Sequence, residues 1–548
     1  MGVMVEINKV PSVLILGGGI MQLPSVRIAK NKGWKVIVAA REVDGEIQSI
    51  ADRVEYLDLS DKDAIYRAAR KIKAQTGLDG VFTAGTDFST TVAWVAERLS
   101  LPGIHYRAAM AATDKSRMRR AFRQCGVPSP DYYTLRSEVK ESRPLNGLSF
   151  PLVVKPVDNM GARGVRRVDN KLQLQKAAAE AIRQSRSGRA IIEEYLDGPE
   201  LSLDAIVYQG KITICGVADR HICFPPFFVE MGHTMPTSLG KDVIEPAVQA
   251  FSQGIRALGI DNGAAKGDIK ITTSGPIIGE IAARLSGGYM SGWTFPLATG
   301  VEVTEAALNI AVGLPPGDLR PRRFDSSAER AFISIPGRVA EILGVQEARQ
   351  VPGIAELFLR TAGGNRVDFP VNNIGKCGNI ISKADSRNQA VAAAEEAVRK
   401  IFIRLAPNDG ETNRFLFSRG EANSAFKAFS AHCPEVKKAL QGLPAYCGEP
   451  GDLIQGKAGI SILSLPNLAR ESDRDWHGFS MKSALDKVLA YTGAGLRDPA
   501  SGRGLNLGKI FWKAFLKGSI QGGVYIIDTL IALRNSPEQL KGLLANNL

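Results

Sequence analysis

Two carboxylates stand twelve positions apart in the stretch from Gly267 to Gly288, GDIKITTSGPIIGEIAARLSGG: Asp268 and Glu280. Between them lies a turn signal, Ser274-Gly275-Pro276, flanked by the short β-branched runs Ile269 to Ile271 and Ile277 to Ile281, so the segment reads as a hairpin. A hairpin sets its two ends side by side, where both acids can share a divalent cation. Mg²⁺ is a hard ion that takes one or two carboxylates and fills its remaining positions with phosphate oxygens and water. Arg284 follows Glu280 by four residues, and Gly287-Gly288 lets backbone come close to a ligand. A plain surface hairpin with solvated acids would show the same letters, so the choice rests on the remainder of the chain.

Lys155 lies inside an otherwise apolar run, FPLVVKP (150–156), where an ionised amine must be paired or must serve a ligand, because burying an uncompensated charge is costly. Three residues on, Asp158-Asn159-Met160-Gly161-Ala162-Arg163-Gly164 forms a glycine-bearing turn whose backbone N–H groups can cradle phosphate. Glu193-Glu194-Tyr195-Leu196 closes another strand and leads through Asp197-Gly198-Pro199 to Glu200. Between these strands and the acid hairpin, FPPFFVEMGHTMPTSL (224–239) carries Glu230 and His233 three positions apart.

The elements that must position these groups alternate from the start. Val13 to Leu16 enters Gly17-Gly18-Gly19, a helix follows, Trp34 to Ala39 is the next strand, and Asp79 to Thr83 is a later one, ending in the loop Ala84-Gly85-Thr86-Asp87. That rhythm predicts a parallel α/β sheet. A dinucleotide fingerprint is not met, because Gln22 stands where a third glycine belongs. A helix begins near Lys115 and ends before Pro128 and Pro130; a second is expected over 386–405, and helical patterns recur near 421–441, 480–491 and 507–518. The expected divisions are 1–112, 113–320 with a lid portion near 128–196, 321–408, and a mainly helical region over 409–548.

A chain of 548 residues with 44% hydrophobic and 23% charged content reads as soluble, globular and multidomain. The formal charge of +13 suits phosphate-bearing ligands, while scattered basic residues without interleaved aromatics argue against nucleic acid. Six cysteines without CxxC spacing indicate reduced thiols in the cytoplasm. No signal peptide or spanning segment is expected; the apolar run 523–533 is short and carries Asp528.

In this order, these motifs resemble the ATP-grasp superfamily over residues 12–405, most strongly over 113–292. The resemblance implies ATP and Mg²⁺, with Mn²⁺ as a substitute. It places Lys115 and Lys155 on phosphates, Gly161, Ala162 and Gly164 in a lid loop, the backbone of Glu194, Tyr195 and Leu196 on adenine with Glu193 beside it, and Glu200 on the ribose. Asp268 and Glu280 would be metal ligands, and Arg284 would steady the transferred group. Two departures stand out: the first metal ligand is Asp rather than Glu, and Ala282 replaces the usual Asn. E-x-G-H-x-x-P, followed by the acid pair and ARLxGG, is similar to the amino-acid ligases that make dipeptides, which implies Glu230 and His233 at the acyl-transfer centre. The implied activity joins a carboxylate to an amine through an acylphosphate, with small-molecule partners and a homodimeric assembly. A biotin-carboxylase-like enzyme and a nucleotide-binding regulator are the alternatives; no biotin-attachment Met-Lys-Met is present. Trp476-His477, Lys482 and the basic helix 509–517 offer a partner surface or a dimer-stabilising appendage.

Overall fold

The computed structural model describes residues 10–136, 147–418, 426–448, 459–498 and 505–546. The chain forms two compact units: one runs to Glu329 and regains Ile381–Val391, the other holds Arg330–Ile380 and everything from Ala392 onward.

The first unit opens with a four-stranded parallel sheet in the order Arg53–Tyr56, Lys35–Ala40, Ser12–Leu16, Gly80–Phe82. Its central strand is SVLIL, buried at every position, as expected of a strand covered by helices on both faces. Gln22 explains the missing third glycine. Its side chain donates to the Ala84 carbonyl and accepts from the Ala84 N–H, so it staples the first turn to the loop after Gly80–Phe82.

A second sheet, entirely antiparallel, runs Tyr132–Leu135, Ala190–Glu194, Leu152–Pro156, Arg166–Val168. Helix Lys171–Gln184 covers it through Leu174, Ala177, Ala178 and Ala181. The third sheet places Gly275–Ala282, Gly263–Thr272, Glu200–Tyr208, Lys211–Cys223 and Val229–Met235 side by side. Helix Lys241–Leu258 packs on it so closely that a Cβ at Gly267 would meet the Phe251 ring at 2.5 Å.

In the second unit, Gly337–Leu343 lies between Arg366–Val367 and Phe402–Leu405. The helix expected over 386–405 is therefore two elements: it spans Arg387–Lys400, and Phe402–Leu405 pairs antiparallel with Gly337–Leu343. Residues 401–403, Ile-Phe-Ile, are bulky, β-branched and aromatic, and they bury as an extended segment. Among the described residues beyond 409 helices predominate, with a small sheet in the order Tyr446–Cys447, Asn506–Leu507, Ser461–Leu463, Gly495–Arg497.

The apolar side of the basic helix is buried. It belongs to Lys509–Ala532, in which Ile510, Phe511, Trp512 and Phe515 are fully buried, and Asp528 forms a two-pronged pair with Arg404 at 2.7 Å on each arm. Trp476 packs edge-on against Phe369 and His477 accepts from the Ile333 N–H, so both face inward; Lys482 stays exposed, paired with Asp486. In the 421–441 segment, 421–425 lie outside the described residues and the helix covers Pro434–Gly442. Among the described residues no helix is long and apolar enough to cross a membrane.

Candidate active site

The acid hairpin forms as the spacing predicts, with Asp268 directly opposite Glu280 in an antiparallel pair. One feature of its register was not legible in advance. Strict alternation would put Ile278 and Glu280 on the same face, but a bulge after Asp268 pairs Ile269 with Ile278 and leaves Gly279 as the extra residue. Ile278 and Ile281 therefore both bury against helix Lys241–Leu258, while Glu280 turns to the other face beside Asp268.

On that face lies a dense set of ion pairs. Lys115, at the first turn of helix Lys115–Cys125, reaches Glu280 at 3.3 Å and donates to the Asn159 carbonyl at 2.9 Å. Burial alone would raise the Glu280 carboxyl, but Lys115, Lys155, Lys266 and Arg284 bring it down to about 2. Lys155 pairs with Glu193 at 2.7 Å, and Arg119 binds the other Glu193 oxygen at 2.8 Å while donating to the Gly279 carbonyl at 2.6 Å. Burial opposes the Glu193 charge, yet the two cations hold its carboxyl below the usual range; burial lowers Lys155, and the neighbouring cations Arg119 and Lys115 add to that.

Arg220 is the second hub. It pairs with Glu200, with Glu230 at 2.7 Å and with Asp268 at 3.3 Å, and Lys266 closes on the other Asp268 oxygen. His233 stands between Glu230 at 3.4 Å and Glu329 at 3.2 Å. Gly288, at φ 62°, closes over the pair: a Cβ there would lie 2.8 Å from Glu230 Oε1 and 2.9 Å from His233 Cε1. Gly288→Ala is expected to lower stability by about 1–2 kcal/mol from the left-handed backbone alone and to cut turnover at least about tenfold by displacing Glu230. Urea unfolding and steady-state phosphate release measure the two effects.

Burial by itself would lower the His233 pKa, but Glu230 and Glu329 override it and carry it from 6.5 to about 8. A raised folded pKa contributes stability that is complete below 6.5 and is lost as pH rises through 8. The shift corresponds to about 2 kcal/mol, so unfolding free energy of the native chain should fall by that order between pH 6 and 9. The His233→Gln variant should lack that component of the pH dependence. Deeper in the sheet, burial pushes Asp204 up to about 7 despite the Ser286 hydroxyl that donates to it.

Of the residues expected from the sequence, Lys115, Lys155, Glu193, Asp268, Glu280, Glu200, Glu230 and His233 all join these networks. Arg284 donates to the Leu285 carbonyl at 2.6 Å and acts on Glu280 through its charge. Gly161, Ala162 and Gly164 take φ of 66°, 60° and 70°, a left-handed turn. Arg163 within it pairs with Asp87 at 2.5 Å. At the strand end expected to meet adenine, the Glu194 and Tyr195 N–H groups donate to the carbonyls of Asp131 and Pro151, and the Glu193 and Glu200 carboxylates are engaged by cations. The Tyr195 ring lies 4.5 Å from the Arg167 guanidinium, and Leu196 follows, half-buried.

Arg119, Arg220, Lys266 and Glu329 were not anticipated. Arg119 had a signal, since Lys115, Met118, Arg119 and Phe122 share one helix face by spacing, and all four are buried. Lys266 lies two positions before Asp268 on the same strand face. Arg220 and Glu329 carry no comparable mark.

Cations facing a carboxylate pair can neutralise phosphate oxygens, which suits a nucleotide. Comparison with known proteins agrees: residues 148–292 match the ATP-grasp domain and residues 331–406 match the L-amino acid ligase C-terminal domain 2. Residues 148–292 therefore carry an ATP-grasp domain, and residues 331–406 carry an L-amino acid ligase C-terminal domain 2. It is similar to an uncharacterized protein of Sinorhizobium fredii, 24% identical over 65% of this chain and 75% of that one. It is also similar to carnosine synthase 1 of Gallus gallus, 29% identical over 43% of this chain but only 28% of that protein, so it spans about a quarter of that relative. The crystal structure of the L-amino acid ligase from Bacillus licheniformis superposes with a TM-score of 0.66 at 23% identity, over 72% of this chain and 99% of that one, which shows a shared fold.

Proposed function

We propose that the chain is a Mg-ATP-dependent ligase that joins an amino acid or a related small carboxylate to an amine. The observation that carries this reading is the convergence of Lys115, Lys266 and Arg220 on the hairpin carboxylates, with Lys155 paired to Glu193 and acting on Glu280 through its charge, since phosphoryl transfer between two anions needs that much positive charge in a fixed arrangement. The names of the relatives, carnosine synthase and L-amino acid ligase, point to the same substrate class.

In this reading a substrate carboxylate oxygen attacks the γ-phosphorus and ADP leaves. The acylphosphate carbonyl is then attacked by the amine, which loses a proton, and inorganic phosphate departs with the C–O bond. Lys115 and Lys155 meet the phosphates, and the turn at Gly161 to Gly164 covers them and keeps water away. Mg²⁺ supplies charge neutralisation of the phosphate oxygens when bound, and the acid hairpin has the oxygen donors it prefers. Arg284 steadies the reacting oxygens, and Glu230 and His233 face the amine. A cytoplasmic enzyme, working as a homodimer, is the setting we infer; the six cysteines are all free thiols.

Incubating the protein with ATP, Mg²⁺ and a matrix of amino-acid pairs should release stoichiometric ADP and phosphate with at least one pair, and yield a dipeptide by mass spectrometry. ATP binding without phosphate release across the whole matrix would replace this reading with that of a nucleotide-binding regulator.

A further inference from the structure

The two hairpin carboxylates are not equivalent. Asp268 has both oxygens engaged: Lys266 holds Oδ1, and Arg220 stands 3.3 Å from Oδ2. Its side chain is 15% exposed. Arg220 is itself held by Glu200 and Glu230, so it cannot swing away from Asp268 without leaving those acids unpaired in a buried place. Glu280 is twice as exposed, at 31%, and its recorded ion pair is with Lys115 at 3.3 Å. Ala282, two residues further, offers a methyl group and no oxygen. Among the described residues no cluster of three or more His, Cys, Asp or Glu could hold a metal.

Resting on the ATP-ligase reading, we infer that the site takes a single divalent cation with the nucleotide, ligated from the protein by Glu280, and that Lys266 and Arg220, anchored on Asp268, replace a second cation. The physical logic is charge substitution. A carboxylate that already neutralises an ammonium and a guanidinium gains little from a metal ion, which would have to expel one of them. Lys266 and Arg220 instead keep their charges fixed beside the transfer site, where they act on phosphate oxygens directly. A protein cation is bound covalently and needs no free metal to fill it. Asp268 is then a positioning residue: its role is to aim Lys266 and Arg220.

Manganese counting tests this without relying on turnover. The wild-type chain, loaded with a non-hydrolysable ATP analogue, is titrated with Mn²⁺, and free Mn²⁺ is read by electron paramagnetic resonance while bound nucleotide is counted in parallel. One bound Mn²⁺ per bound nucleotide is expected; two would overturn the inference. Glu280→Gln should weaken Mn²⁺ binding to the nucleotide-loaded chain at least tenfold, whereas Asp268→Asn should change it less than threefold. Equal losses in the two variants would also overturn it. If Asp268→Asn does not fold, the wild-type count decides alone. Failure of the wild-type chain to bind the analogue at all would instead remove the ATP-ligase reading, so the two failures are distinguishable.

Discussion

Arg220→Met is expected to be the most damaging single change in the molecule. The guanidinium neutralises Glu200, Glu230 and Asp268 together, and its side chain is only 16% exposed. Methionine fills similar space but leaves three partly buried carboxylates facing one another, a loss of about 3–5 kcal/mol when one partner of a buried pair is removed. Lys270 and Lys266 retain one contact each, to Glu200 and Asp268, so the variant should fold but with a much lower urea midpoint and no measurable turnover. Arg220→Lys should recover part of the stability and little of the activity, since an ammonium cannot reach three carboxylates at once. A midpoint unchanged by Arg220→Met would mean that these carboxylates are not coupled as the geometry states.

The second large effect falls on turnover. Glu280→Gln keeps the shape of the side chain, and Lys115 retains its bond to the Asn159 carbonyl at 2.9 Å. The amide gives up the attraction that holds the Glu280 carboxyl at about 2, so unfolding free energy should fall at neutral pH while the fold is kept. Turnover should fall on the order of 10³-fold, equivalent to about 4 kcal/mol of transition-state stabilisation. Phosphate release under saturating ATP, with circular dichroism as the fold control, is the measurement. An activity within tenfold of the native chain would remove Glu280 from the metal site.

Two of the opposed motifs were legible because their chemistry is local. Lys155 in an apolar strand had to find a partner, and Glu193 is that partner. The hairpin was marked by its turn, and its acids do face each other. Local signals also misled. The Ile-Phe-Ile run at 401–403 continues a helical pattern on paper, but it forms a strand because Gly337–Leu343 offers it an edge. The run Lys509 to Lys517 reads as basic, yet its Trp512 and Phe515 are fully buried. Lys517 is buried with them, its amine 4.9 Å from the Phe415 ring, and burial lowers its pKa to about 8.

The sequence by itself determined the inventory: a parallel α/β beginning, a glycine turn after a lysine-bearing strand, and two acids across a hairpin, each set by spacing over a few residues. Only the tertiary structure decided which charges meet. Arg119 is 160 residues from Gly279 and Glu329 is 96 from His233, and no periodicity spans such distances. The reason is that an ion pair depends on which strands the sheet brings together, whereas a hairpin depends on its own turn. The acid pair from which the site was first read is therefore unequal: Glu280 pairs with Lys115 and is the more exposed, and Asp268 holds Lys266 and Arg220.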